Sequence, residues 1–223
     1  MIQLGLCDAA VVGGVDSLCR LTIHGFAALS LLDRGACKPN DLNRAGINIG
    51  EAAGFALIER GAGVDGGRVL GAILGWGESS DAYHMSTPDP DGRGAEAAMR
   101  SALSRASLEP DAIDYISLHG TGTVINDKVE NVAIERVFGT STPASSTKAW
   151  TGHTLGASGI LGVLIGSIAI REGFAPKNLN LETVDSGLGA PVLQRRLDKP
   201  IRRVLANAFG FGGTNCSIVV GEP

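Results

Sequence analysis

Aromatic and charged side chains are scarce in this sequence of 223 residues, at 4% and 19% respectively. Basic residues number 19 against 23 acidic residues, so the formal net charge is −4. A nucleic-acid-binding protein is therefore not favoured, because such proteins neutralise phosphates with an excess of lysine and arginine. Hydrophobic residues make up 44%, and this excludes a disordered chain, which combines low hydrophobicity with high net charge.

Cysteine is also sparse. The four cysteines are Cys7, Cys19, Cys37 and Cys216. They form no Cys-x-x-Cys pair, and no histidine stands at zinc-binding spacing from them, so the sequence predicts neither a metal site nor a disulfide framework. Residues 1–15 lack the basic start of a signal peptide, and Asp8 interrupts their apolar run. We expect a protein of the reducing cytoplasm.

Long hydrophobic runs are nearly absent. Residues 149–170 carry no formal charge, but their first half is polar and rich in glycine. The continuous apolar part, residues 160–170, is shorter than the ~20 residues that span a bilayer. The pattern therefore predicts a fully buried core helix and no membrane association.

What the sequence does contain is glycine, 32 of 223 residues, and short apolar runs that alternate with amphipathic segments. This alternation is typical of an α/β protein in which helices cover a sheet. The patterns predict strands at 8–14, 54–59, 69–76, 113–118, 204–209 and 216–220, and helices at 25–33, 94–107, 127–138 and 155–171. A glycine-rich turn is expected over 61–67, and the last two strands should form a central hairpin.

Polar or glycine-rich stretches follow three of the apolar elements. They are residues 119–123, with Asp127 and Glu130 beyond them; residues 145–148, continuing to Gly152 and His153; and residues 210–215. Reactive side chains of α/β proteins often lie at such positions. Each stretch alone is more typical of a structural role, but their order and spacing together indicate a functional site.

The combination resembles the β-ketoacyl-acyl carrier protein synthases, the elongating condensing enzymes of fatty acid and polyketide synthesis. His-Gly-Thr-Gly-Thr at 119–123 is similar to the family's first-histidine motif, and Lys148 with Gly-His at 152–153 is similar to its second. Asn-Ala-Phe-Gly-Phe-Gly-Gly-Thr-Asn at 207–215 is similar to its C-terminal glycine loop, and residues 79–85 to a loop at the active-site entrance. The resemblance extends over essentially the whole chain.

The resemblance implies an α/β, thiolase-like fold in which two similar halves form five layers, α-β-α-β-α. Residues 1–62 would be the tail of the N-terminal half, and residues 63–223 the complete C-terminal half. The family's nucleophilic cysteine stands in a Thr-Ala-Cys-Ser type motif of the first half, and none of the four cysteines here has those neighbours. We therefore expect the chain alone to lack condensing activity.

The family's reaction is a decarboxylative Claisen condensation of a malonyl thioester with an acyl thioester. The resemblance implies that His119 and His153 donate hydrogen bonds to the enolate oxygen that forms when CO2 leaves. It also implies a supporting ion pair between Lys148 and Glu130, which would hold the loop of His153 and keep its ring neutral.

The remaining implied roles concern the substrate. Thr121 and Thr123 would bind the pantetheine arm, and Phe211 would be the aromatic gate between the acyl and malonyl pockets. Gly210 and Gly212 would allow the gate loop to adopt positive φ and to move. No cofactor or metal is required, because the substrates arrive on the phosphopantetheine of acyl carrier protein.

Acyl carrier protein is thus one implied partner, and the missing N-terminal half or a ketosynthase partner chain is another, with a homo-oligomer expected. A non-catalytic subunit of the chain-length-factor type is the alternative. The presence of both histidines, Lys148 and Glu130 favours the enzyme. A phosphate-binding loop at 210–213 is disfavoured, because no Lys-Ser/Thr follows the glycines.

Overall fold

The computed structural model describes residues 1–61 and 69–223. The glycine-rich turn expected over 61–67 lies almost wholly outside the described residues, as does the expected boundary between residues 62 and 63. The strands are β1 (Ala9–Asp16), β2 (Ala52–Glu59), β3 (Ala72–Ser80), β4 (Tyr115–Ser117), β5 (Ala144–Ser145), β6 (Phe174–Ala175), β7 (Leu197–Asp198), β8 (Arg203–Gly210) and β9 (Thr214–Gly221). The helices are α1 (Arg20–Ala28), α2 (Arg93–Ala106), α3 (Val124–Phe138), α4 (Lys148–Thr151) and α5 (Ser158–Glu172).

A five-stranded sheet with the order β3-β9-β8-β4-β5 forms the centre of the fold. Strands β8 and β9 pair antiparallel, and β4 runs parallel to both β8 and β5. The predicted central hairpin is therefore confirmed. Because β4 and β5 are parallel neighbours, the segments that follow them leave the sheet at the same edge, and this brings residues 119–123 and 146–153 together.

Alternate residues of the hairpin face two different cores. Leu205 and Val219 pack with α2 and α3 on one face of the sheet. Val204 and Val220 pack with α5 on the other face. Successive side chains of a strand point to opposite faces of the sheet, so a strand buried on both faces contributes alternate residues to two cores.

A two-stranded ribbon, β1–β2, lies on the far side of α5. Its Gly54 is so close to that helix that an added Cβ would stand 3.0 Å from Ile160 and 3.3 Å from Leu164. The layers therefore run from α2 and α3 through the sheet and α5 to the ribbon, an α-β-α-β order. The α/β prediction is confirmed.

Two helix predictions need correction. The helix expected over 25–33 is α1, which begins earlier and ends at Ala28, because Ser30 adopts a positive φ of 56° that a continuing helix does not tolerate. Leu32 then forms a parallel bridge with Ile47.

Helix α5 is not fully buried, contrary to the prediction. Within the described residues, Leu155–Glu172 is the one helical segment long and apolar enough to cross a membrane, and 28% of it is buried. Its buried residues are Gly166, Ser167, Ala169 and Ile170. The helix lies between the sheet and the narrow ribbon, and two strands cover only part of its outer side.

Candidate active site

The three stretches singled out in the sequence meet at the carboxyl end of β4. His119 follows that strand directly, and His153 follows α4. Their imidazole centroids lie 5.4 Å apart, with the rings at 81°. Phe209, near the end of β8, lies 5.9 Å from the His119 ring. Two imidazoles and an aromatic ring thus share one small region.

Every backbone polar group of the His119–Gly120 segment is held by a buried side chain. The Glu130 carboxylate accepts hydrogen bonds from the backbone N–H of His119 at 2.8 Å and of Gly120 at 2.7 Å. The Lys148 ammonium donates to the His119 carbonyl, and the Ser146 hydroxyl donates to the Gly120 carbonyl at 2.6 Å. Because all four backbone N–H and C=O groups of this segment are hydrogen-bonded, the backbone that carries His119 is held in place.

The direct ion pair predicted between Lys148 and Glu130 is not formed. Each group contacts the His119 segment separately: Glu130 accepts from the His119 and Gly120 amides, and Lys148 donates to the His119 carbonyl. Glu130 does face inward from α3, as expected from its place one helical turn after Asp127. Burial lowers the pKa of Lys148 to about 8, and the negative charge of Glu130 opposes that shift.

His153 is held by residues 48–50, which belong to none of the sequence motifs. Its backbone N–H donates to the Asn48 carbonyl at 2.7 Å, and its carbonyl accepts from the Gly50 N–H at 3.0 Å. The result is a parallel bridge between Ile49 and His153. Residues 48–50 form no periodic or polar pattern, so their role is visible only in three dimensions.

The hydrogen bonds at Nδ1 define which nitrogen carries the proton in each neutral ring. The Leu155 backbone N–H donates to Nδ1 of His153 at 3.1 Å. The Lys148 ammonium lies 3.4 Å from Nδ1 of His119. Since Nδ1 is an acceptor in both rings, the proton of each neutral ring is on Nε2.

Both rings are neutral in the physiological range. Burial is the main cause that lowers the pKa of His153 to about 3, and the positive charge of Lys148 is the second. The same two causes, together with His153, hold the pKa of His119 well below its ordinary value. The site therefore presents two imidazole Nε2–H donors that do not titrate near neutral pH.

The two threonines that the resemblance assigns to the pantetheine arm follow His119 closely in the chain and contact each other. The hydroxyls of Thr121 and Thr123 lie 2.9 Å apart, and the Cys37 thiol donates to the Thr121 carbonyl at 3.3 Å. Gly122 has a φ of +81°, and an added Cβ would stand 2.9 Å from the Cys37 sulfur. Any side chain at position 122 would therefore be strained here.

The residues after the threonines lie on the surface. Val124 and Ile125 form the first turn of α3 and are exposed by 58% and 54%. Large apolar side chains thus stand at the outer end of the threonine segment.

The glycine loop carries Phe211, which is 49% exposed and stacks on Phe26 of α1 with a centroid separation of 5.6 Å. Gly212 has a φ of +80°, as expected for a loop that requires glycine. Gly210 has a φ of −115°, so the expectation of positive φ there is wrong. The Gly212 N–H donates to the Met85 carbonyl at 2.7 Å, which ties the loop to the predicted entrance segment.

Several buried polar contacts were not recognised from the sequence. Asp127, which was singled out with the first motif but without a role, accepts from the backbone N–H groups of Gly122 at 3.1 Å and Asn40 at 2.8 Å, and Arg44 pairs with Asp185 at 2.7 Å. They join residues 40–44 to α3 and to the loop before β7. Within the part of the chain that the structure describes, no group of three or more histidine, cysteine, aspartate or glutamate residues is arranged to hold a metal ion.

Comparisons with known proteins agree with this geometry. The family described as "Beta-ketoacyl synthase, C-terminal domain" matches residues 70–182, and "Beta-ketoacyl synthase, N-terminal domain" matches residues 1–62. The chain belongs to the β-ketoacyl synthase family. The resemblance stated from the motifs is thereby confirmed, and members of this family are acyltransferases.

Curated relatives within the β-ketoacyl synthase family match almost the whole chain. The chain is 38% identical to "3-oxoacyl-[acyl-carrier-protein] synthase 2" of Rhizobium meliloti (strain 1021), over 99% of this chain and 55% of the relative. It is 36% identical to the mitochondrial 3-oxoacyl-[acyl-carrier-protein] synthase of Arabidopsis thaliana, over 98% and 51%. The chain thus spans about half the length of the curated relatives it matches.

Solved ketosynthases confirm the thiolase-like fold. One chain of the complex of the ketosynthase ApeO with its chain length factor ApeC, from Xenorhabdus doucetiae, has a TM-score of 0.92 at 43% identity and is matched over 55% of its length. A β-ketoacyl synthase from Burkholderia phymatum STM815 has a TM-score of 0.94 at 30% identity, over 56% of its chain. All of this chain is covered in both comparisons.

Proposed function

We propose that this chain is the portion of a 3-oxoacyl-acyl carrier protein synthase that stabilises the enolate of malonyl thioester decarboxylation. When the C–CO2⁻ bond breaks, the electron pair moves onto the thioester oxygen. The two Nε2–H groups of His119 and His153 are the donors for that developing charge. The observation that carries the proposal is the pair of neutral rings, 5.4 Å apart, whose Nδ1 atoms both face hydrogen-bond donors.

The rest of the site supports a substrate delivered on a flexible arm. The hydroxyls of Thr121 and Thr123 are suited to binding the amides of a pantetheine chain, and the half-exposed Phe211 is suited to gating an acyl pocket. The substrate brings its own thioester on the phosphopantetheine of acyl carrier protein, so the proposed chemistry requires neither metal nor cofactor. We assign the threonines and Phe211, with Gly210 and Gly212 of its loop, to substrate binding.

The test uses mass spectrometry to measure the conversion of malonyl-acyl carrier protein to acetyl-acyl carrier protein. The chain is assayed alone and with a ketosynthase-type partner chain. Acetyl product above the rates of spontaneous decarboxylation and of the partner chain alone supports the proposal. No acetyl product in both preparations, with carrier binding intact, contradicts it.

Condensation also requires a nucleophilic thiolate, and we propose that none of the four cysteines here supplies it. Cys37 is 2% exposed, and burial raises the pKa of its thiol to about 11. Burial likewise raises the pKa of Cys216. A buried thiol with a raised pKa carries little thiolate at neutral pH. Cys19 differs, because it is exposed and its hydrogen bond with Thr22 lowers the pKa of its thiol. Cys7 and Cys19 are excluded instead because neither stands in a Thr-Ala-Cys-Ser type motif.

Incubation with acyl-acyl carrier protein is therefore expected to leave the chain unmodified. Intact mass spectrometry after gel filtration detects any acyl adduct. As a control, iodoacetamide treatment of the denatured chain shows that all four cysteines are free thiols that can react. A stable acyl adduct on any cysteine of the native chain would contradict the expectation.

We further propose that residues 1–62 and 63–223 are parts of two thiolase-like halves, and that a further chain or segment covers the ribbon. The outer face of the ribbon is apolar and exposed: Val11 is 73%, Val15 63%, Phe55 62% and Leu57 62% exposed. Val11 stands opposite Leu57 in the strand pairing, so these residues form one continuous surface. Such faces usually mark interfaces.

Self-association through this face is expected when no other partner is present. The double variant Phe55→Ser/Leu57→Ser should shift the chain towards monomer in light scattering. Leu42→Ser is the matched control, because Leu42 is 57% exposed but lies outside the ribbon. A wild-type chain that stays monomeric at high concentration would contradict this expectation.

A non-catalytic partner subunit is the second candidate function. Its support is that solved relatives include ketosynthase/chain length factor complexes, one of which is 33% identical over the whole of this chain. The intact arrangement of both imidazoles with Lys148 and Glu130 favours the enzyme, because a subunit without chemistry has no need of two oriented donors.

A further inference from the structure

The Glu130 carboxylate has a third hydrogen-bond donor besides the two backbone amides. Nδ2 of Asn207, in β8, donates to Oε1 of Glu130 at 3.1 Å. Both side chains are buried, with Glu130 1% and Asn207 6% exposed. Oε1 is the same oxygen that accepts from the His119 N–H. The Asn207 amide therefore acts on the atom that positions His119.

Ser217 stabilises the orientation of that amide. Its hydroxyl donates to Oδ1 of Asn207 at 2.8 Å, and Ser217 is fully buried. In the reversed orientation, Oδ1 of Asn207 would face the Glu130 carboxylate and two acceptors would meet. Only the orientation with Nδ2 towards Glu130 satisfies all three groups.

The hydrogen-bonded chain from Ser217 through Asn207 to Glu130, which we call the relay, begins in the central sheet. Asn207 and Ser217 are directly opposite each other in the β8–β9 pairing, at the centre of the sheet. The spare N–H of Asn207 points to the Met99 sulfur at 3.6 Å. A side chain anchored in this way places its donor accurately, because neither strand can shift without disrupting the hairpin.

We propose that Asn207, oriented by Ser217, is a positioning residue for His119: it keeps the Glu130 carboxylate turned towards the His119 and Gly120 amides. The inference rests on the proposed role of His119 as an enolate donor. The Asn207 amide is not placed to touch the substrate, and its effect passes through Glu130 to the backbone of His119.

The charge state of Glu130 links this relay to pH. Burial raises the pKa of Glu130 to about 7, and the donors from Gly120, His119 and Asn207 oppose that rise. The charged groups that face Glu130 are Lys148 from α4 and Asp127 from its own helix. Removing the Asn207 donor raises the pKa further, so more Glu130 is protonated at neutral pH. A protonated carboxyl group cannot accept equally from both amides.

The variants are Asn207→Asp and Ser217→Ala, with Ser145→Ala as the matched control. Ser145 is also fully buried in the same sheet, but its hydroxyl bonds Tyr115 and the Pro176 carbonyl and does not contact Glu130. Asn207→Asp keeps the side-chain shape and places a second carboxylate beside Glu130. Ser217→Ala removes one atom and frees the Asn207 amide to rotate.

The first readout does not depend on activity. The titration of the Glu130 carboxyl, followed by 13C NMR together with the His119 and Gly120 amide signals, should move to higher pH in Asn207→Asp and, by a smaller amount, in Ser217→Ala. Ser145→Ala should titrate as wild type does. Unchanged Glu130 titration in both relay variants overturns the inference.

The second readout is the pH profile of acetyl-acyl carrier protein formation. At pH 7, kcat should fall by about tenfold in Asn207→Asp, with KM unchanged and with recovery as the pH rises. Wild-type activity with unchanged profiles in both variants overturns the inference while the proposed function stands. If wild-type protein is inactive in every preparation, the proposed function fails, and the NMR titration alone decides whether the relay controls Glu130.

Discussion

Replacing His119 or His153 with alanine is expected to lower the rate of acetyl-acyl carrier protein formation by about 10²–10³ for each residue, because each change removes one of the two donors proposed for the enolate oxygen. The chain's stability should change far less than its activity, since neither imidazole forms the main hydrophobic cores. The measurement is the initial rate of acetyl product by mass spectrometry, in whichever preparation shows wild-type activity.

The informative control is Phe211→Ala. The proposed role of Phe211 is to gate the acyl pocket, and no acyl chain is gated during decarboxylation alone, so this variant should lose much less activity than either histidine variant. Equal rates for wild type and the His119→Ala/His153→Ala double variant would show that the imidazoles are not the donors. In that case the non-catalytic subunit becomes the better interpretation of the chain.

Gly50→Ala is expected to reduce the same activity by about 10²-fold without altering any side chain of the site. A Cβ at position 50 would stand 2.1 Å from the Thr151 carbonyl oxygen and 3.1 Å from the Gly152 Cα. Neither atom belongs to a flexible side chain, so the backbone leading to His153 must move. A displacement of about 1 Å at a catalytic group commonly costs that much in rate.

Gly25→Ala provides the matched control. Gly25 lies in α1, and an added Cβ there meets no atom within 4 Å, so alanine should raise stability slightly through its higher helix propensity. Thermal unfolding of both variants and of wild type separates loss of fold from loss of geometry. A Gly50→Ala chain with wild-type activity would show that the bridge to residues 48–50 does not position His153.

Much of the fold could be predicted, because a short apolar run bounded by glycine or polar residues is compatible with few structures other than a buried strand. The hairpin of β8 and β9 is bounded by a glycine turn, and its residues alternate between two cores, as the local pattern indicates. The boundaries of α1 could not be found in this way. They depend on the conformation of Ser30 and on the bridge between Leu32 and Ile47, which are distant in sequence.

The candidate site shows the same division. The histidines, Lys148 and Glu130 were identified because their motifs are contiguous in sequence. The contacts that fix them were not identified, because they involve backbone groups: Glu130 binds two amide N–H groups, and His153 is held by the backbone of residues 48 and 50. Residue type predicts which side chains take part, whereas backbone partners depend on the tertiary path of the chain.

The bridge between Ile49 and His153 has a consequence for how this family can be rearranged. Ile49 lies in the segment matched by the N-terminal family description, and His153 in the segment matched by the C-terminal one. In a chimera joined between residues 62 and 69, His153 and the segment 48–50 that supports it would come from different parent proteins. Such a chimera would preserve every motif and still misplace one imidazole. Chimeras that take residues 48–50 and residues 151–153 from the same parent should therefore function best.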